Sequence, residues 1–350
     1  MDEKKRPRLA LLLRVSRGSR MLYAAAVLLM LISVFCGFLL PQVIRFVVDN
    51  VVGGLPVSDI PAVTAVLALL GVEKTTESLR ENIAVCGGIV LAIAAFGGSC
   101  GYLYRRMLAL GAEGLIKRLR SELFAHIQSL PYKWHIEVQT GDIIQRCTSD
   151  VEIVRSFVFT HIIEIARAVV LVVFAYGILF RIDAYLSFAS FAFLPAIFLY
   201  SFVFLRATAD RFLLVDEAEG QLLAAAQENF TGVRVVRAFG RESHEIEKFG
   251  RRNEVYANLW VKLGNMLSTF WGVGDLITGM QMIVICTFGA IRAASGGITV
   301  GEFIVFLTYN SMTIWPVRGL GRELSEASKA GVSLGRLVEI LDARPETDPP

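Results

Sequence analysis

The chain has 350 residues, 54% of them apolar and 19% charged, with a mean hydropathy of +0.56. A soluble domain carries roughly 25% charged residues, and here the apolar residues lie in blocks, which excludes an ordinary globule and points to a multi-pass membrane protein. The net charge of +3 is too small to argue for nucleic acid, and five cysteines without a CxxC pair give neither a disulfide framework nor a structural zinc site.

In chain order, residues 1–20 form a basic cytoplasmic segment in which Pro7–Val15 reads as an amphipathic helix lying on the inner leaflet. A spanning helix needs about 20 apolar residues. Met21–Ile44 has no charge in 24 residues, and the first span is placed at about 21–48, with Arg45 snorkelling at its outer end and Asp49 and Asn50 closing it. The loop over 51–80 contains the apolar stretch Ile60–Val72, too short to cross and left as a small lid or a docked helix. Further spans follow at 82–104, 161–180, 184–205, 270–291 and 303–320, so the fold class is an all-α integral membrane protein with six transmembrane helices.

Lys and Arg set the orientation. Seven precede the first span, eight lie in Arg105–Arg155 and nine in Arg206–Lys262, while the first loop is acidic. Both termini and both long connections are therefore expected in the cytoplasm. Those connections show helical spacing, as in Leu115, Leu119, Leu123, Ile127 and Leu130. They read as helical arms reaching some 30 Å below the bilayer, at about 1.5 Å per residue. Gly141 and Gly232 are expected to break the arms where the chain turns along the membrane plane.

Charged and polar residues inside spans are functional candidates because the bilayer makes them costly. Glu164 and Arg167 are three apart on one helical face and are expected to pair. Asp275, near Gly272, Gly274 and Gly279, is expected to line a central cavity, with Arg318 its nearest cation by depth. Gln281, Asn310 and Trp315 complete the cavity candidates. No catalytic constellation, metal-ligand spacing or phosphate loop is evident: none of the eight lysines follows a glycine. Ser295-Gly296-Gly297 lies in a short outer turn and reads as a turn.

Three stretches carry a family resemblance: Leu130-Pro131-Tyr132 with Thr140-Gly141-Asp142, Arg146 and Ser149-Asp150-Val151; Glu228 through Gly232 and Arg237 to Glu242; and Thr299–Phe303 with Trp315-Pro316-Val317 and Leu334–Asp342. Together they resemble the membrane domain of ABC exporters, in order, over about residues 8 to 345. Trp134-His135 departs from the pair of phenylalanines that many relatives carry. The resemblance implies a domain over 21–342, with 343–350 starting a linker to a nucleotide-binding domain that would hold ATP and Mg, so that a fragment is expected. It implies transverse coupling helices near Tyr132–Val138 and Gly232–Phe239, with Tyr132, Trp134, His135, Gly141, Asp142, Gly232, Arg237, Phe239 and Glu242 contacting that domain. It also implies a homo- or heterodimer surrounded by membrane lipid, in a plasma membrane of bacterial inner-membrane type. The rival readings are a stand-alone channel or ion-coupled carrier, and a catalytically silent subunit of a heterodimer.

Overall fold

The computed structural model describes residues 19–54 and 83–346. The expected N-terminal amphipathic helix, the outer stretch Ile60–Val72 and the end of the linker lie outside the described residues. Among the described residues all regular structure is helical. The helices are α1 (Arg20–Val52), α2 (Ile83–Gln128), α3 (Tyr132–Glu137), α4 (Thr140–Ile182), α5 (Ala184–Phe191), α6 (Phe193–Ala238), α7 (Glu242–Ala294) and α8 (Val300–Leu341). Two π-helical turns, Arg146–Asp150 and Phe157–His161, interrupt α4.

Five stretches are long and apolar enough to cross a membrane: α1, α2, α4, the run Ala184–Ala238 and α7. The expected sixth span lies in α8, which is 42 residues long but is not among the five. The expected span at 184–205 is interrupted at Ala192, where α5 ends and α6 begins.

The chain divides into two compact units, one of residues 1–191 and 284–350, the other of 192–283. In the first unit α2 continues from Tyr104 to Gln128, a further reach of about 36 Å at 1.5 Å per residue. Its apolar seam is buried as the spacing requires: Leu115, Leu119 and Leu123 are at most 2% exposed, and Ile127 and Leu130 are also buried. The seam packs with Val151 and Val154 of α4 and Leu334, Leu337 and Ile340 of α8. In water the hydrophobic effect drives the burial of such a seam. Within a bilayer that force is absent between helices, and polar clamps and close packing replace it.

In the second unit α6 and α7 form a hairpin that turns at Gly240, whose φ of +62° suits glycine. Phe270 stacks on Phe204 and Tyr200, and Lys248 pairs with Glu228 at 3.1 Å. Two expected helix breaks do not occur. Gly232 does not break its arm: it lies inside the unbroken α6, and Gly232–Phe239 is the end of that helix, not a separate transverse one. Gly141 likewise lies in the first turn of α4; the chain bends at Pro131 and at Val138–Gln139, where the backbone is extended. A helical glycine costs only about 1 kcal/mol, which the helix on either side outweighs. Near the first of the two expected positions a short helix does form, α3.

Candidate functional site

At the first arm tip, Tyr132 is 77% exposed and His135 is exposed, whereas Trp134 is partly buried against the arm's own core and meets His135 edge-to-face. An indole facing inward is less available to a partner than the Tyr132 ring. Gly141 is exposed, and Asp142 pairs with Arg146 at 2.8 Å.

At the second arm tip, the ends of α6 and α7 enclose a groove of about 400 Å³. Phe230, Val233, Ile246 and Phe249 give its apolar wall, and Arg237 and Glu242 its polar rim. Phe230 and Phe239 are each 77% exposed and Ile246 is 72% exposed. Asn229 Nδ2 donates to Glu245 Oε2 at 3.3 Å, which ties the two helices together beside the groove. Exposed aromatic and apolar side chains gathered in one groove are a composition that protein contacts favour.

The cavity candidates fall into three groups. Glu164 and Arg167 pair as the spacing requires, at 3.0 Å. Asp275 and Trp315 are exposed on the chain, Trp315 by 66%. Gln281 and Asn310 are fully buried, and Arg318 is nearly so. Asp275 and Arg318 belong to different compact units. Around Gly272 and Gly279 nothing beyond the local helix backbone lies within 4 Å of an added Cβ, whereas Gly274 is buried.

Asn310 holds a polar layer inside the first unit. Ser190 Oγ donates to Asn310 Oδ1 at 2.7 Å, and Tyr176 Oη lies 2.8 Å from Ser190 Oγ. These three residues lie on α8, α5 and α4. Asn310→Ala is expected to destabilise the folded protein by about 1–2 kcal/mol, because the buried Ser190 hydroxyl loses its acceptor. A thermal melt in detergent that matches the parent would show that the layer contributes nothing.

The sequence reading missed two clamps at the end of the first unit remote from the arms. In one, Asp49 receives the Gly301 N–H at 2.8 Å and the Thr299 hydroxyl at 2.5 Å. Arg45 donates to Glu302 at 2.7 Å rather than simply snorkelling, and Thr299 and Glu302 form a capping box. In the other, Asp183 is tied to Arg292 at 2.7 Å and caps α5 through the Leu186 N–H at 2.9 Å. Burial alone would push the Asp183 carboxyl up, but that N–H and the Arg292 guanidinium hold it below the usual range. Their only signal in the sequence was charge at span ends. Ser295-Gly296-Gly297 is a turn, as read: Gly296 has φ +74° and the Gly297 N–H returns to the Arg292 carbonyl at 2.8 Å.

Among the described residues, five helical stretches long and apolar enough to cross a bilayer define a multi-pass membrane protein. The sequence profile of the ABC transporter transmembrane region matches residues 23–317. The chain belongs to that family. It is 28% identical over 331 residues to an ATP-dependent lipid A-core flippase of Aromatoleum aromaticum, covering 93% of this chain and 52% of the relative. A flippase of the same description from Desulfotalea psychrophila is 26% identical over 260 residues, covering 74% and 45%. A probable multidrug resistance ABC transporter ATP-binding/permease protein of Bacillus subtilis, YheH, is 24% identical over 268 residues, covering 73% and 40%. The chain thus spans about half the length of the curated relatives it matches.

Proposed function

We propose that this chain is the membrane-spanning half of an ATP-driven exporter. Two such halves, identical or not, would enclose the path, and ATP-binding domains holding ATP and Mg would act on the arm tips. Nucleotide binding would draw those domains together, and the arms would turn that closure into inward-to-outward switching, a two-state rocking motion. The observation that carries the reading is the exposed aromatic groove at the second tip, built from Phe230, Ile246 and Phe249, on a chain of this family. A channel or ion-driven carrier gives such a surface no task. The basic connections and basic N-terminal segment support arms and termini in the cytoplasm of a bacterial inner membrane.

Of the cavity candidates, Asp275 and Trp315 suit the path best, since both are exposed on the chain. Buried Asn310 suits packing. The relatives' names mention a lipid A-core and drugs, which supports an amphipathic cargo.

The test is a cysteine at Asp275 or Trp315 in a protein lacking its five native cysteines. Its reaction with a membrane-impermeant maleimide is expected to change in rate when ATP is added to the full-length transporter. A rate indifferent to nucleotide at both positions would overturn the cavity assignment.

A prediction concerns the arm tips. Phe239→Ala and Tyr132→Ala in the full-length transporter are expected to keep basal ATP hydrolysis and to lose most of its stimulation by cargo, because exposed aromatic anchors carry a disproportionate share of contact energy. Trp134→Ala is expected to act more through arm stability, given its inward packing. Full stimulation in the first two variants would sink the coupling role.

A further inference from the structure

Two polar residues of the first arm's motif, Arg146 and Asp150, face the last helix of their own chain, and Asp142 braces Arg146. Asp142, Arg146 and Asp150 recur every four residues along the start of α4, and Ser333, Arg336 and Glu339 every three along the end of α8. Each spacing returns to one face of a helix. The two rows meet in antiparallel order. Asp150, its side chain 3% exposed, accepts from Ser333 Oγ at 2.7 Å and faces Arg336 at 3.7 Å. One turn away, Arg146 reaches Glu339 at 3.1 Å and the Arg336 carbonyl at 3.2 Å, while Asp142 holds its other side at 2.8 Å. Below this ladder the chain's exit is fastened to the end of α2. The ring nitrogen Nε2 of His126 lies 3.0 Å from the Ala343 carbonyl, and the Glu346 N–H donates to the Ser129 carbonyl at 2.7 Å.

An apolar seam already joins these helices, through Val151, Val154, Leu334 and Leu337. Leucines and valines tolerate sliding, because one apolar contact resembles the next. A buried carboxylate does not: shifting α8 by one turn would strand Asp150 without Ser333 and Arg336. Buried polar groups of this kind are best attested as devices that specify register.

We propose that Asp142, Arg146 and Asp150 are positioning residues that lock the register of α8 against the first arm, so that the exit segment 343–346 and the tip helix α3 move as one body. The lock belongs to this chain alone. Only its use rests on the exporter reading, in which a domain attached after the exit would keep a set distance from α3 throughout the cycle.

The test reads that distance without nucleotide, so its failure and the failure of the exporter reading are separable. Spin labels at Lys133→Cys and Arg344→Cys, in full-length protein lacking its native cysteines and diluted with unlabelled protein in nanodiscs, report the separation of α3 from the exit. The parent is expected to give one narrow distance distribution. Asp150→Ala is expected to widen it about twofold or add a second population, while Asp150→Asn, which keeps an acceptor for Ser333, stays close to the parent. Glu339→Ala, at the solvent end of the ladder, is expected to widen it partially without endangering the fold, and decides the matter alone if Asp150→Ala fails to accumulate. Distributions as narrow as the parent's in Asp150→Ala and Glu339→Ala would overturn the lock.

Discussion

Asp183→Ala is expected to lower the melting temperature of the detergent-solubilised protein by several degrees, through a loss of about 2–3 kcal/mol. Two contributions vanish together. The Asp183 side chain is 1% exposed and accepts from Arg292 and from the Leu186 N–H, so its removal strips α5 of its N-cap and frees the end of α7 from the α4–α5 turn. Arg292 is 45% exposed, and water reaching it keeps the loss at the low end of the range for buried pairs. The carboxyl's pKa is depressed in the folded protein, so its contribution is present above the ordinary carboxylate range and lost as pH falls through the folded value. The gap in melting temperature between the parent and Asp183→Asn should therefore be full at neutral pH and shrink below about pH 4. Parallel curves from neutral to acid pH would assign the linkage to another group.

Gly301→Ala is expected to be the most damaging single-methyl change in the first unit. The added Cβ would stand 2.6 Å from Asp49 Oδ2 and 2.8 Å from the backbone carbonyl of Arg45. The carbonyl cannot rotate away as a flexible side chain would. The start of α8 would have to retreat from α1, and the Gly301 and Thr299 hydrogen bonds to Asp49 would lengthen or break. Overpacking and the lost bonds together suggest about 3 kcal/mol. Gly319→Ala on the same helix is the control, since nothing lies within 4 Å of its added methyl. It is expected to be neutral or to stabilise by about 0.5–1 kcal/mol through helix propensity. Equal melting temperatures for the two variants would contradict the close approach at Gly301.

The elements that could be read from the chain are those whose cause is local. The seam Leu115–Leu119–Leu123–Ile127 announces its buried face through its spacing, and the structure buries all four. The Glu164–Arg167 pair follows from a separation of three along one helix. The glycine breaks did not follow. Gly141 and Gly232 have the residue type of a break, but a helix supported on both sides tolerates the cost, and Gly240 turns the second arm.

What the sequence by itself determined is the class: blocks of about twenty apolar residues, basic segments between them, and arms with helical periodicity, each a property of neighbouring residues. Only the tertiary structure decided the roles of Asp49, Asp150, Asp183 and Asn310. Along the sequence Asn310 is a cavity candidate, Asp49 closes a span, Asp150 stands in the family motif and Asp183 sits in a short turn. Their partners are Gly301, Ser333, Arg292 and Ser190, each more than one hundred positions away in the sequence. Nothing in the spacing along one helix records which residue of another will supply the missing hydrogen bond. Between spans, where lipid removes the hydrophobic drive for one helix to pack on another, such distant partners hold the bundle together.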